Sequence, residues 1–314
     1  MKSKKIIKIT KWIWITAVII GGGYYIINNW DKMIQYFNLI PTKNLFYSAL
    51  FLLAGKLFLV FFSKIAVEKE NHVLPYWHAF RIVSITQLGK YVPGGIWHFV
   101  GRYNAYHDQN LTIKKSTRAL ISENVWLLSG ALVIGSLFGI FSQLGQNILL
   151  QLNLPLSPFL LYVYAGVIIG AWIVGLVVYE WFFINKKIAF NLLDFIKLIL
   201  IQFATWVLLG ISFSFVLPDL QIQMLPNTIF GYSISWVVGY IMIFAPGGIG
   251  IREGALVWIF SGLFPTEEII IYSTVHRFLF VVVEIVLGSI AGIQNSKQKL
   301  FNSNTQPDQI KSEN

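Results

Sequence analysis

Cysteine is absent from this 314-residue chain, which removes disulfides, thiolate metal sites and cysteine nucleophiles together. Charge is scarce as well. Asp, Glu, Lys and Arg make up 12% of the residues against a 56% hydrophobic share, and the mean hydropathy is +0.65. Soluble domains carry about a quarter charged residues, so this composition reads as a membrane protein. Acidic residues are the scarcer sign, 14 against 24 basic ones, for a net charge of +10. The basic residues sit in short segments between apolar runs, the pattern of a protein oriented by its charges, and no nucleic-acid partner is expected. Also missing are a Walker loop, a dinucleotide fingerprint, an HExxH pair, a nucleophile elbow and any soluble stretch long enough for a catalytic domain. His72, His78 and His107 lack metal-ligand spacing. No cofactor, no metal site and no catalysis by this chain alone are expected.

What remains is a series of apolar runs of about 20 residues, long enough to cross roughly 30 Å of hydrocarbon. In lipid such runs can only be helices, because each backbone amide must find its partner within the segment. The expected fold is an all-α polytopic membrane protein. Six full crossings are predicted, at 12–28, 45–66, 119–141, 159–184, 192–217 and 268–293. The first follows the basic stretch MKSKKIIKITK and is read as a span, since no Ala-x-Ala cleavage site follows it. With a cytoplasmic N-terminus, Lys114, Lys115, Arg118, Lys186, Lys187, Lys297, Lys299 and Lys311 all fall inside. The outer loops 142–158, 218–226 and 265–267 then hold no Lys or Arg, and only Lys32 and Lys43 break the rule. The C-terminus is cytoplasmic in this topology.

Two stretches resist reading as simple crossings. Residues 74–106 contain YVPGGIWHFVGR and residues 227–264 contain FAPGGIGIREG. Each is expected to be a re-entrant hairpin of two half-helices meeting at a break. PGGI at 93–96 returns at 246–249, and GSLFGI at 135–140 meets GSIAGI at 288–293, both at an offset of 153 residues. An odd number of crossings per half inverts the second copy, so two inverted repeats, about 1–141 and 159–293, are expected within one membrane domain spanning 1–293. Residues 294–314 are expected to be a polar, disordered cytoplasmic tail.

The breaks carry the chemistry. Proline ends one half-helix, glycines permit close approach, and the next half-helix opens with unpaired N–H groups that attract an anion such as phosphate. Candidate substrate-binding residues are Pro93, Gly94, Gly95, His98 and Arg102 at the first break, and Pro246, Gly247, Gly248, Gly250, Arg252 and Glu253 at the second, with Arg277 from the last crossing. Glu123, His276 and Glu284 are candidates for charge balance or proton coupling. A plainer reading stays open, in which Pro-Gly-Gly is a packing turn, the arginines snorkel to headgroups and the intramembrane charges form an ion-pair lattice. Lys56 is left between snorkelling and lining a cavity.

The segments QLGKYVPGGIWHFVGR at 87–102 and APGGIGIREGALV at 245–257 resemble the transmembrane region of the lysylphosphatidylglycerol synthase/flippase family, the membrane half of the bacterial multiple peptide resistance factor. The likeness extends over about residues 10–293. It implies a bacterial inner-membrane lipid flippase built with re-entrant helices, in which Pro246, Gly247, Gly248, Gly250, Arg252, Glu253 and Gly254 match the family's second motif. The soluble aminoacyltransferase domain of full-length members is not among these residues, so lysyl transfer is not expected. The implied partner is an anionic phospholipid or a polyprenyl-phosphate carrier. The alternative is a non-transporting subunit that presents lipid to a separate glycosyltransferase or synthase.

Overall fold

The computed structural model describes residues 16, 24, 27–92, 96–185, 192–218, 222–242 and 245–304. Eleven α-helices and no strand occur among the described residues. They are α1 (Trp30–Asn38), α2 (Thr42–Glu68), α3 (Tyr76–Gln87), α4 (Trp97–His107), α5 (Ile113–Ile140), α6 (Gln143–Gln151), α7 (Pro158–Tyr179), α8 (Leu192–Ser214), α9 (Leu225–Ile241), α10 (Ile251–Phe260) and α11 (Thr266–Asn304). Five stretches are long and apolar enough to cross a membrane: Thr42–Glu68, Ile113–Ile140, Pro158–Phe182, Leu193–Ser214 and Thr266–Ile293. They coincide with the last five predicted crossings. The crossing predicted at 12–28 lies almost wholly outside the described residues.

Local chemistry sets several of the helix starts. Thr112, Ser142 and Ser157 each turn a hydroxyl back to an amide three residues on, at 3.4, 3.0 and 3.3 Å, and so satisfy one orphan N–H of the first turn. Pro158 sits just inside its helix, where a missing N–H is harmless. Helix α11 runs past residue 293 to Asn304, where the sequence predicts a disordered tail. Gln, Lys and Leu in QNSKQKLF are good helix formers and extend a helix that is already nucleated. Residues 305–314 lie outside the described residues.

Two long helices, α2 and α8, pack on each other, and α8 begins 150 residues after α2, near the 153-residue offset of the sequence matches. Ser48 and Ser212 lock them through hydroxyl-to-carbonyl bonds of 2.8 Å in both directions. The broken segments then exchange partners. Helix α9 packs on α5, and α3 packs on α11. At these crossings a Cβ on Gly135 would come within 2.9 Å of the Ser233 side chain, and one on Gly288 within 2.6 Å of Leu88 and 3.3 Å of the Ser84 carbonyl. Gly135 and Gly288 are the equivalent positions of the two GS-x-x-G-I matches. Helix α7, apolar all round and exposed along most of its length, stands at the periphery against α5.

Candidate functional site

Both interrupted segments end a helix and carry a 3-10 turn, at different places. Helix α3 tightens into a 3-10 turn at Leu88–Tyr91, Val92 is extended, and α4 starts at Trp97 with no side chain capping its first turn. Residues Pro93, Gly94 and Gly95 lie outside the described residues. In the second segment α9 ends at Ile241, Pro246–Gly248 form a 3-10 turn, and α10 starts at Ile251. Gly247, Gly248 and Gly250 take φ values of +58°, +73° and +82°, the left-handed region that a Cβ disfavours. The two breaks touch: the 88–91 turn contacts the 246–248 turn, and a Cβ on Gly247 would lie 3.7 Å from the Tyr91 ring.

Around this meeting point lies a partly open cavity of about 100 Å³. Its wall holds His98, Arg102, Glu123, Gly247, Gly248, Arg252 and Arg277, seven of the residues predicted from sequence and drawn from both halves. Two buried charge clusters flank it. In the first, the Arg102 guanidinium donates to Glu123, to the Thr86 hydroxyl at 2.7 Å and to the Val83 carbonyl at 3.4 Å. Tyr106 gives its phenolic proton to the other Glu123 oxygen, and the Ser63 hydroxyl, 2.6 Å away, donates to the phenol. This cluster is internally neutral, and its polar groups hold one another. Beside it the Tyr240 hydroxyl donates to the Asn124 side chain.

The second cluster surrounds Phe280. Lys56 and Lys90 both donate to Oε1 of Glu284, the latter at 2.5 Å, and the Tyr91 hydroxyl donates to Oε2 at 2.6 Å. Arg277 donates to the Gly247 carbonyl, so the last crossing grips the break directly. Arg252 lies 5.1 Å from the Tyr232 ring and 5.4 Å from the Phe280 ring. Among the described residues it has neither a hydrogen bond nor a carboxylate in contact, although it is only 6% exposed. Its stem crosses Gly239 so closely that a Cβ there would be 2.2 Å from Arg252 Cγ.

Two expected roles shift, and a third keeps its charge balance with other partners. Glu253 does not face the cavity as a binding group: its carboxylate accepts the Gly250 amide at 2.7 Å and caps α10, taking one of the donors that an anion would otherwise use. His276 is turned from the cavity into a packed aromatic nest of Phe213 and Tyr232, with Nε2 3.0 Å from the Ser212 hydroxyl. Glu284 lies behind the wall, reaching the cavity through Lys56 and Lys90. The backbone of Pro246 opens the second turn, and Gly250 precedes α10. Sequence reasoning passed over Lys90, Tyr91 and Phe280 and left Lys56 unassigned. The usable signal was helical spacing, since Arg277, Phe280 and Glu284 fall on one face of α11.

Compared with known proteins, the chain matches no family model and no curated protein.

Proposed function

We propose that the chain is a lipid translocase of the bacterial cytoplasmic membrane, which moves an anionic lipid between leaflets by exposing one cavity alternately to each face. In this reading, α3–α4 and α9–α10 are re-entrant hairpins entering from opposite sides, and the two halves are inverted repeats. The exchange of partners at Gly135 and Gly288 supports that symmetry, because equivalent glycines dock the opposite half's broken helix. The observation that carries the proposal is the meeting of the 88–91 and 246–248 turns on one cavity whose wall contains a buried arginine without a bonded partner among the described residues, Arg252. A buried cation in a lipid-embedded protein faces a partner or a water-filled path, and such residues mark transport routes. Broken helices in corresponding halves mark the same place in transporters of inverted-repeat build.

The test is leaflet exchange in proteoliposomes. With a fluorescent phosphatidylglycerol and a membrane-impermeant quencher, the wild-type chain is expected to expose the inner-leaflet probe, and Arg252→Ala is expected to abolish that exposure while retaining a sharp thermal unfolding transition. Arg252→Lys, which keeps the charge, should retain part of the activity. Probe movement that is the same with and without Arg252 would overturn the proposal. Lipid that stays bound but never crosses would point instead to a subunit presenting lipid to a separate enzyme. A second variant reaches the same group from behind: Gly239→Val puts side-chain atoms where the Arg252 stem lies, and it should reproduce the transport loss of Arg252→Ala.

A further inference from the structure

Four basic side chains crowd one aromatic ring. Lys56, Lys90, Arg252 and Arg277 lie 3.5, 4.6, 5.4 and 5.4 Å from the centre of Phe280. The negative face of the ring draws them together and tempers their mutual repulsion. Among the described residues a single carboxylate, Glu284, bonds to any of the four, and it is spent on the two lysines. Arg277 is bonded to a neutral carbonyl, and Arg252 has no such partner among the described residues. Counted as formal charges, the four basic groups exceed the one bonded carboxylate by three, and by two if Glu253, held at the Gly250 amide, is counted as a neighbour. The Arg102–Glu123 pair adds nothing to this sum, because it is closed on itself.

A surplus of this size inside a membrane protein calls for a counter-anion in the cavity. A glycerophospholipid diester brings one negative charge and leaves the cluster positive. A phosphomonoester brings close to two at neutral pH, and a diphosphate more. Guanidinium groups suit such oxygens, since each presents a planar fork of donors. A lysylated headgroup brings ammonium groups to the same surface and is repelled. We infer that the cavity takes a phosphomonoester or diphosphate headgroup, held by Arg252 and Arg277 with Lys56 and Lys90 behind them, in preference to a phosphodiester. The lipid source rests on the translocase reading, whereas the charge match does not.

The experiment measures binding to the full chain in detergent micelles with four probes: farnesyl phosphate, farnesyl diphosphate, dioleoyl phosphatidylglycerol and inorganic diphosphate. Both phosphorylated prenols are expected to bind at least about tenfold more tightly than phosphatidylglycerol, and Arg252→Gln to weaken them by at least about tenfold. Arg252→Lys, tested in parallel with a thermal melt of each variant, should recover part of that loss. Equal or tighter binding of phosphatidylglycerol, or no effect of Arg252→Gln in a folded protein, would overturn the inference. Inorganic diphosphate matching the prenyl form would uphold the charge match while removing the lipid source. If the prenyl phosphates bind as expected and neither phosphatidylglycerol nor a fluorescent prenyl phosphate crosses in the vesicle assay, the translocase reading fails alone. If phosphatidylglycerol binds best and crosses, only the headgroup inference fails.

Discussion

Glu284→Gln is expected to destabilise the protein by about 3–5 kcal/mol, the usual consequence of deleting one member of a buried ion pair and leaving its partner charged. The carboxylate is 3% exposed and serves three elements at once, Lys56 on α2, Lys90 and Tyr91 on the 88–91 turn, and its own helix α11. A glutamine keeps the shape but offers one acceptor oxygen and no charge to two ammonium groups. The expected signature is a large drop in unfolding temperature in detergent, with more of it recovered by a phosphorylated prenol than the same lipid adds to the wild-type protein, because bound anion then supplies the missing charge. A variant that melts with the wild type would mean that Glu284 does not neutralise the lysines.

Arg102→Ala is expected to cost a similar amount, again about 3–5 kcal/mol, since it strands the Glu123 carboxylate with only the Tyr106 hydroxyl. The double substitution Arg102→Met with Glu123→Leu should recover most of that loss, because an ion pair replaced as a unit by apolar groups of similar volume is often neutral in stability. Arg102 spends three of its five donors on Glu123, Thr86 and Val83 and has its charge balanced by Glu123, so the double variant should also keep most of its lipid movement. Unfolding temperatures of the two single variants and the double variant give the coupling directly. A folded double variant that moves no lipid would transfer Arg102 or Glu123 from the scaffold to the transport machinery.

The parts of this architecture that were legible in the sequence are those that lipid enforces. Apolar length specifies a crossing helix because the bilayer leaves no other structure open to it, and five stretches answer that expectation among the described residues. The second break was legible because proline and glycines so close together leave no continuous helix. Other features were written in the sequence but weighed wrongly. Gly250-x-x-Glu253 is the spacing of a helix-capping acid, and the carboxylate does cap. His276 adjoins Arg277 in sequence, yet successive residues point about 100° apart around a helix, which turns the imidazole away from the cavity. The Lys56–Glu284 and Lys90–Glu284 pairs had no local signal at all. They join residues far apart in the chain through the packing of α2, α3 and α11, and only tertiary structure brings them together.

The packing of α3 on α11 has a consequence for how the protein is made. The surface at Ser84 on α3 and Leu88 on the turn that follows is completed by Gly288, which leaves the ribosome about 200 residues later, a delay of about 10 to 40 s at 5–20 residues per second. Through that interval the first broken segment and Lys90 stand in the nascent chain without the helix that shelters them. A stop codon before residue 284 would therefore leave Ser84 and Leu88 uncovered and Lys90 without the carboxylate that holds it.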